Sequence, residues 1–291
     1  MSFLNYLING LSLGSVYAII ALGYTMVYGI AKMLNFAHGD VIMVGGFAIY
    51  TAMNSVGMHP LLAVLLSVVI CTVLGITIEK IAYKPLRKAS PLAVLITAIG
   101  VSYFLQNLAL LIFGSDAKLF TSVVSVPAVT AGEISITGET IVTIVACIII
   151  MIVLTTFIKK TKAGQAMLAV SEDKEAAELM GINVNATISL TFAIGSGLAA
   201  IAGALLCSAY PALTPYTGSM PGIKAFVAAV FGGIGSIPGA LVGGILLGII
   251  ENLSKAYISS QMADAIVFSV LIIVLLVRPT GLMGRKIREK V

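Results

Sequence analysis

Residues 140–158 read TIVTIVACIIIMIVLTTFI, a run without one charged side chain, and the chain turns basic at once with KKTK at 159–162. Wound as a helix, a run of this length matches a hydrocarbon core, which takes roughly 20 residues to cross. Inside a bilayer no water satisfies backbone polar groups, so such a segment must be a helix or part of a closed barrel, and the alternation of a barrel strand is missing. Working outward, Met1–Ala31, Val41–Met58, Leu61–Ile78 and Leu92–Ser115 have the same character. The fold class expected is all-α, a polytopic transmembrane helical bundle.

Composition agrees. Of the 291 residues 59% are hydrophobic and 10% charged, with no Trp, against about a quarter charged in a soluble domain. The first apolar run lacks a basic start, is too long for a leader and is followed by further spans, so it is expected to be the first helix. Cys71, Cys147 and Cys207 lie in apolar stretches, where thiols act as small hydrophobes, and their spacing fits neither zinc nor a disulfide framework. The net charge of +5 is spread over short loops between spans, which favours a membrane over nucleic acid.

Basic residues cluster at Lys80, Lys84, Arg87 and Lys88, at Lys159, Lys160 and Lys162, and at Arg278, Arg285, Lys286, Arg288 and Lys290. The positive-inside bias puts these loops and the C-terminus in the cytoplasm. Ser115–Glu139 carries Asp116, Glu133 and Glu139 against Lys118 and belongs outside. Threading between these points gives helices near 5–31, 41–57, 61–82, 91–114, 140–158, 187–209, 222–234, 238–253 and 264–278, about eight or nine in all, with the N-terminus outside. The segments 222–234 and 238–253 are short, so a re-entrant pair or one broken helix is the alternative there. One transmembrane domain, 1–291, is expected, with a cytoplasmic coupling loop at 159–187. A faint correspondence links GYTMVYGIAKMLNFAHGD with GIKAFVAAVFGGIGSIPG.

Within that loop, SEDKEAAELMGI at 171–182 packs five charges into eight positions. Ser171 can cap a helix whose first turn holds Glu172 and Asp173, and Gly181 can supply a left-handed stop. Ala176, Ala177, Leu179 and Met180 would form a small, adaptable apolar face, with Lys174, Glu175 and Glu178 elsewhere. Such a helix suits a solvated loop, or a docking surface for another protein.

The spacing Glu175, Ala176, Ala177, three residues, Gly181 resembles the E-A-A-x-x-x-G element of permease subunits of ATP-binding-cassette importers. That element docks into a groove on the ATPase. The wider resemblance, over essentially the whole chain, is to the branched-chain amino acid permease family, in its smaller, H-type member. NGLSLGSVYAIIALGYTMVYGIAKMLNFAHGDVIMVGGF (Asn9–Phe47), EAAELMGINV (Glu175–Val184) and GIKAFVAAVFGGIGSIPGALVGGILLGIIE (Gly222–Glu251) carry it. The Ile-x-Leu-Pro tail of other importers is absent; TISLTF stands there. The resemblance implies ABC importer permease architecture, with Glu175, Ala176, Ala177, Leu179, Met180 and Gly181 as the ATPase-coupling residues.

Asn35, His38 and Asp40 sit where a hydrophobic run breaks and resumes. Asp40 can cap a helix starting at Val41, with Gly39 at the turn and His38 at the lipid interface. Polar groups at membrane depth are costly, so Asn35 and His38 are equally candidates for a pathway or gate. Gly239, Gly243, Gly244 and Gly248 give two G-x-x-x-G spacings, which suit close helix packing. Lys224 and Glu251 can pair with one another, or Lys224 can meet a substrate carboxylate at the outer mouth. Ser102, Tyr103, Gln106 and Asn107 fit inter-helix hydrogen bonding. Asn9, Ser12, Ser15, Tyr17 and Tyr24 share parts of one helix face.

No G-x-x-x-x-G-K-[ST] loop, zinc spacing, nucleophile elbow or carboxylate dyad occurs in the sequence, so no enzyme site is expected. The reading favoured is a permease subunit of an ATP-driven importer for branched-chain or related amino acids, in a bacterial or archaeal cytoplasmic membrane. The resemblance implies as partners an M-type permease, two cytoplasmic ATP-binding subunits, an extracytoplasmic solute-binding protein and membrane lipid. ATP and magnesium would be used by those subunits, with no cofactor on this chain. The alternatives are a stand-alone secondary transporter or channel for a small polar solute, and a non-transporting membrane scaffold.

Overall fold

The computed structural model describes residues 3–87, 89–131 and 134–284. Lys88, Glu133, Arg285, Lys286, Arg288 and Lys290, on which the expected orientation partly rests, lie outside the described residues, as do Met1 and Ser2. The helices are α1 (Phe3–Ala31), α2 (His38–Asn54), α3 (Pro60–Ile78), α4 (Pro91–Phe113), α5 (Gly138–Lys160), α6 (Lys162–Glu172), α7 (Lys174–Leu179), α8 (Val184–Ala209), α9 (Ser219–Gly232), α10 (Ile237–Tyr257) and α11 (Ala263–Val277). Between α3 and α4 the chain passes through a π-turn, Glu79–Tyr83, and a 3₁₀ turn, Lys84–Leu86. Two small antiparallel pairs lie at one end of the bundle: β1 (Lys118–Leu119) with β4 (Ala212–Leu213), and β2 (Val129–Ala131) with β3 (Ile134–Ile136). We call this the hairpin end; the other, with Lys159, Lys160, α6 and α7, is the basic end.

Among the described residues six helices are long and apolar enough to cross a membrane: α1, α3 with its extension, α4, α5, α8 and α10. The expected tally of eight or nine spans is therefore partly made of shorter pieces, with α2 at 17 residues, α11 at 15 and α9 at 14. The segment expected as 238–253 is in fact a full-length helix, α10. Of the spanning stretches, α1 and α8 are 89% and 83% buried, whereas α4 and α5 are 22% buried. Two central helices are thus sheathed by others whose leucines and isoleucines face outward, as lipid requires.

The bundle is built from two alike halves. In each, a central helix (α1 or α8) leads through an irregular segment to a shorter one (α2 or α9), then to α3 and α4 or to α10 and α11. The central helix of each half packs antiparallel on the third helix of the other. A Cβ on Gly10 or Gly14 of α1 would strike Ile249 or Ile245 of α10, and one on Gly75 of α3 would strike Ser196 and Phe192 of α8. Where α1 and α8 cross, Gly23 and Gly195 face each other: a Cβ on either would lie 3.3–3.5 Å from the other's carbonyl oxygen. The true correspondence therefore pairs α1 with α8. The pairing of the α1–α2 junction with the α9–α10 junction is corrected.

At the end of α1, Lys32 adopts φ 59°, the one non-glycine residue at positive φ among the described residues. The 32–37 segment then climbs back beside the last turns of α1, so that His38 lies against Gly23 and the ring of Tyr24 at 4.7 Å. The first turn of α2 is consequently embedded in the bundle. There Gly39 meets the start of α9, for a Cβ on it would stand 2.6 Å from the Gly218 carbonyl oxygen and 3.3 Å from Gly222 Cα. Two half-helices thus begin side by side in the interior.

Candidate functional sites

The basic end is a set of capped joints. Thr161 starts α6 by accepting from Gly164 N at 3.0 Å. Gly164, Met167 and Val170 of α6 are buried against the bundle. Asp173, in extended conformation, ends α6 and begins α7, its Oδ1 accepting from Glu175 N at 2.9 Å and Ala176 N at 3.0 Å. Gly181 stops α7 with φ +81°, while Ile182 N reaches back to Ala177 O at 3.0 Å, a glycine-terminated helix end. Asn183 then caps α8 through Ala186 N. Instead of one helix capped by Ser171, the charged stretch is thus the end of α6, a one-residue joint and α7. Ser171 Oγ donates to Leu168 O inside α6. Asp173 takes the cap because the chain is extended there, whereas Ser171 still lies inside α6.

On α7 the expected apolar face divides. Ala177 is 4% exposed and faces the bundle, while Leu179 and Met180 are 89% and 82% exposed and face away from it. Glu175, Ala176, Glu178 and Gly181 are exposed as well. Lys174 donates from Nζ to the carbonyl oxygen of Ala31, the last residue of α1, at 2.9 Å. Burial, then the positive charges of Arg87 and Lys32, hold the Lys174 ammonium below the usual lysine range. Beside it, Arg87 joins Glu79 and Asn185, and Glu79 also accepts from Ser189 Oγ at 2.6 Å. The π-turn places Glu79 inward and aims Tyr83 at the 32–37 segment, its hydroxyl donating to Asn35 Oδ1 at 2.9 Å. Asn35 is therefore a buried tether of that segment. The Glu79–Arg87–Ser189 cluster escapes sequence reasoning; its signal is one acid at the head of a basic loop.

In the interior, His38 is 1% exposed, so its placement at the lipid interface is corrected. α2 begins at His38, three residues before the expected Val41, with Ala37 as an N-cap that offers no side-chain bond. Asp40 lies inside the first turn and accepts from Gln106 Nε2 at 2.9 Å. Gln106 also reaches Ser102 Oγ at 3.2 Å and Ser219 Oγ at 3.3 Å, linking α2, α4 and α9.

A second polar group ties α1, α9, α10 and α11 toward the hairpin end. Lys224 Nζ pairs with Glu251 Oε1 at 2.8 Å and Asp264 Oδ1 at 2.6 Å. Glu251 also takes Lys255 at 2.6 Å and the Tyr17 hydroxyl at 2.8 Å. Two cations meet two carboxylates, so Lys224 is neutralised within the chain. The four glycines of α10 serve two neighbours. Gly239 and Gly243 lie on α9, against Gly232 and Ala228, and Gly244 and Gly248 lie on α1, against Ala18 and Gly14. Among the described residues no cluster of His, Cys, Asp or Glu has the makings of a metal site.

A family profile described as branched-chain amino acid transport system / permease component matches residues 6–276. The chain is similar to the high-affinity branched-chain amino acid transport system permease protein LivH of Salmonella typhimurium, 45% identical over 99% of this chain and 98% of that one. It is also similar to the corresponding protein BraD of Pseudomonas aeruginosa, 44% identical over 99% and 98%. A solved chain of PsaBC from Streptococcus pneumoniae in complex with Fab aligns over 95% of this chain and 92% of its own, at 14% identity and a TM-score of 0.47.

Proposed function

The chain belongs to the family of branched-chain amino acid transport permease components, and on that premise we propose that it forms half of the translocation path of an ATP-driven importer for branched-chain amino acids. The observation that carries the coupling part is the orientation of α7. Its inner side is fixed by Ala177 and Lys174, while Leu179 and Met180 stand in the open, with no described residue covering them. An apolar pair held rigidly at the end of a membrane bundle is suited to insert into a groove on another protein.

In this proposal the basic end faces the cytoplasm, the C-terminus with it, and Glu175 to Gly181 seats one of two ATPase subunits, which bind ATP and magnesium. The full assembly adds an M-type permease and an extracytoplasmic solute-binding protein. Closure of the ATPase pair moves α7 and with it the end of α1. The 32–37 segment, Asn35 and His38 follow, because they lie beside the last turns of α1. Lys224 sits near the outer mouth, where a substrate carboxylate would have to displace Glu251 or Asp264 to meet it.

The test is reconstitution with the companion subunits in liposomes. ATP-dependent accumulation of leucine that vanishes when the ATPase is omitted supports the proposal. Accumulation by this chain alone, driven by an ion gradient, would favour the stand-alone secondary transporter instead.

A further inference from the structure

Three spanning helices, α3, α4 and α5, leave most of their surface open, and two of them are chemically alike. Away from the basic end, the exposed residues of α3 and α5 are all leucine, isoleucine or valine, which is the chemistry of a lipid-facing surface. The outer side of α4 differs. Its buried line is Val94, Ala98, Leu105 and Ala109. Opposite that line, at helical spacing, stand Ile96, Gly100, Tyr103, Asn107 and Leu111, all exposed.

The middle of that outer line does not suit hydrocarbon. Tyr103 is 62% exposed one residue past the midpoint of the 23-residue helix, whereas a membrane tyrosine belongs at the headgroup level, where its hydroxyl is wet. Asn107 stands about 9 Å of helical rise short of the end of α4 at Phe113. Its amide donates to the Tyr103 carbonyl of the same helix at 2.7 Å, which leaves much of its hydrogen-bonding capacity to the outer side. Lipid tails offer that capacity no partner, and an unmet polar group in hydrocarbon is costly. On the same face, Gly100 has nothing within 4 Å of where its Cβ would be. A glycine that lets a second backbone come close and a polar side chain that bonds across are the two devices that join helices in a bilayer.

We infer that this face of α4, centred on Gly100, Tyr103 and Asn107, is where the chain meets a transmembrane helix of the second permease. The inference rests on the function proposed above, and that assembly leaves one occupant. Its ATPases and solute-binding protein lie outside the bilayer, so at the depth of Tyr103 only the M-type permease reaches the face. The partner helix presents small side chains to Gly100 and a hydrogen-bonding one to Asn107. Gln106, next in the chain to Asn107, holds Asp40 of α2 and Ser219 of α9. The partner is therefore one helix away from the junction where α2 and α9 begin.

A Gly100→Leu substitution separates the two surroundings, since that side chain is at home in lipid and too large for a close helix contact. In the complete assembly it is expected to weaken retention of the M-type permease by about ten-fold, the size of one overpacked contact. Melting of the variant chain purified alone should stay unchanged. Retention at the unmodified level overturns the inference. A nitroxide on Asn107→Cys gives a second reading, since the native cysteines are buried, and Ile149→Cys on α5 is the lipid-facing control. In vesicles holding both permeases, oxygen collision at 107 should fall several-fold below that at 149; without the M-type permease the two should match. Equal collision in both preparations makes the face a lipid surface, and shielding without the M-type permease makes it a contact between copies of this chain. Either result overturns the inference. A wild-type chain that binds no second permease overturns the functional proposal itself.

Discussion

Lys174, the first residue of α7, donates a 2.9 Å hydrogen bond to the carbonyl oxygen of Ala31, the last residue of α1, so the exposed helix α7 is fastened to the end of the most buried span. The carbonyls at a helix C-terminus have no intrahelical partner and carry partial negative charge, which makes an ammonium their natural cap. Force on α7 therefore reaches α1 through a bond as well as through packing. Because 32–37 turns back from that same helix end, a displacement of α7 would carry on to Asn35 and His38.

Lys174→Met is expected to leave ATPase association intact and to uncouple it. A hydrogen bond to a charged donor is worth about 1.5–3 kcal/mol, enough to loosen α7 without unfolding the bundle. The measurement is solute transported per ATP hydrolysed by the reconstituted assembly. A several-fold fall with ATPase co-purification unchanged is the expected result; an unchanged ratio assigns Lys174 to local stability alone.

Leu179→Asp should have the opposite signature. With 89% of its surface open, Leu179 supports little among the described residues, so the substitution leaves folding untouched and puts a charge where a partner's apolar groove would close. Ala177→Arg also abolishes association, by a different route. Ala177 is 4% exposed, and a guanidinium there lifts α7 off the bundle. Gly181→Trp is strained at φ +81° and disturbs the same end. Pull-down of the ATPase at the unmodified level by all three variants would remove α7 from the coupling role.

These residues also show what sequence can carry. The spans, the glycine seam of α10 and the glycine stop at Gly181 were legible because each is written locally, as an uninterrupted apolar run or a fixed spacing. What was not legible depends on chain reversal. Nothing near Lys32 announces that 32–37 climbs back into the bundle, and without that reversal Asp40 reads as the cap of a helix starting at Val41, and His38 equally as an interface residue or a gate candidate. The same holds for Glu79, whose partner Ser189 stands 110 positions away, whereas the pairing of Lys224 with Glu251, 27 positions on, was one of the readings the sequence offered and only Asp264 was missed. Asp173 displaced Ser171 as the cap because the joint between α6 and α7 is set by how α6 packs on α5, which no local pattern records.

Lys224→Met tests whether the polar group toward the hairpin end is structural. It removes the cation shared by Glu251 and Asp264 and leaves Glu251, 1% exposed, with Lys255 and Tyr17. Breaking a buried pair from one side typically costs about 3–5 kcal/mol. Thermal unfolding in detergent should therefore fall markedly, and Lys224→Met combined with Glu251→Gln should recover part of the loss. Transport by the double variant at the unmodified rate would exclude Lys224 from contact with the substrate carboxylate.

The close approach of α10 to α1 gives the sharpest contrast between two glycines. A Cβ on Gly248 would overlap the backbone of Gly14, and one on Gly244 would stand 2.5 Å from Ala18 Cα. Backbone, unlike a flexible side chain, has nowhere to move, so Gly248→Ala forces the two helices apart along the seam. Without a hydrophobic drive between helices in lipid, close packing is much of what holds them, and overpacking of this kind costs about 1–3 kcal/mol. Gly100, in the middle of α4, has nothing within 4 Å of where its Cβ would be. Gly100→Ala removes only the conformational freedom of glycine and should be neutral or stabilising by up to about 1 kcal/mol. Melting curves of the two variants, purified in the same detergent, should therefore move in opposite directions or one not at all. A Gly248→Ala protein as stable as the unmodified one would mean that α1 and α10 do not meet at Gly14.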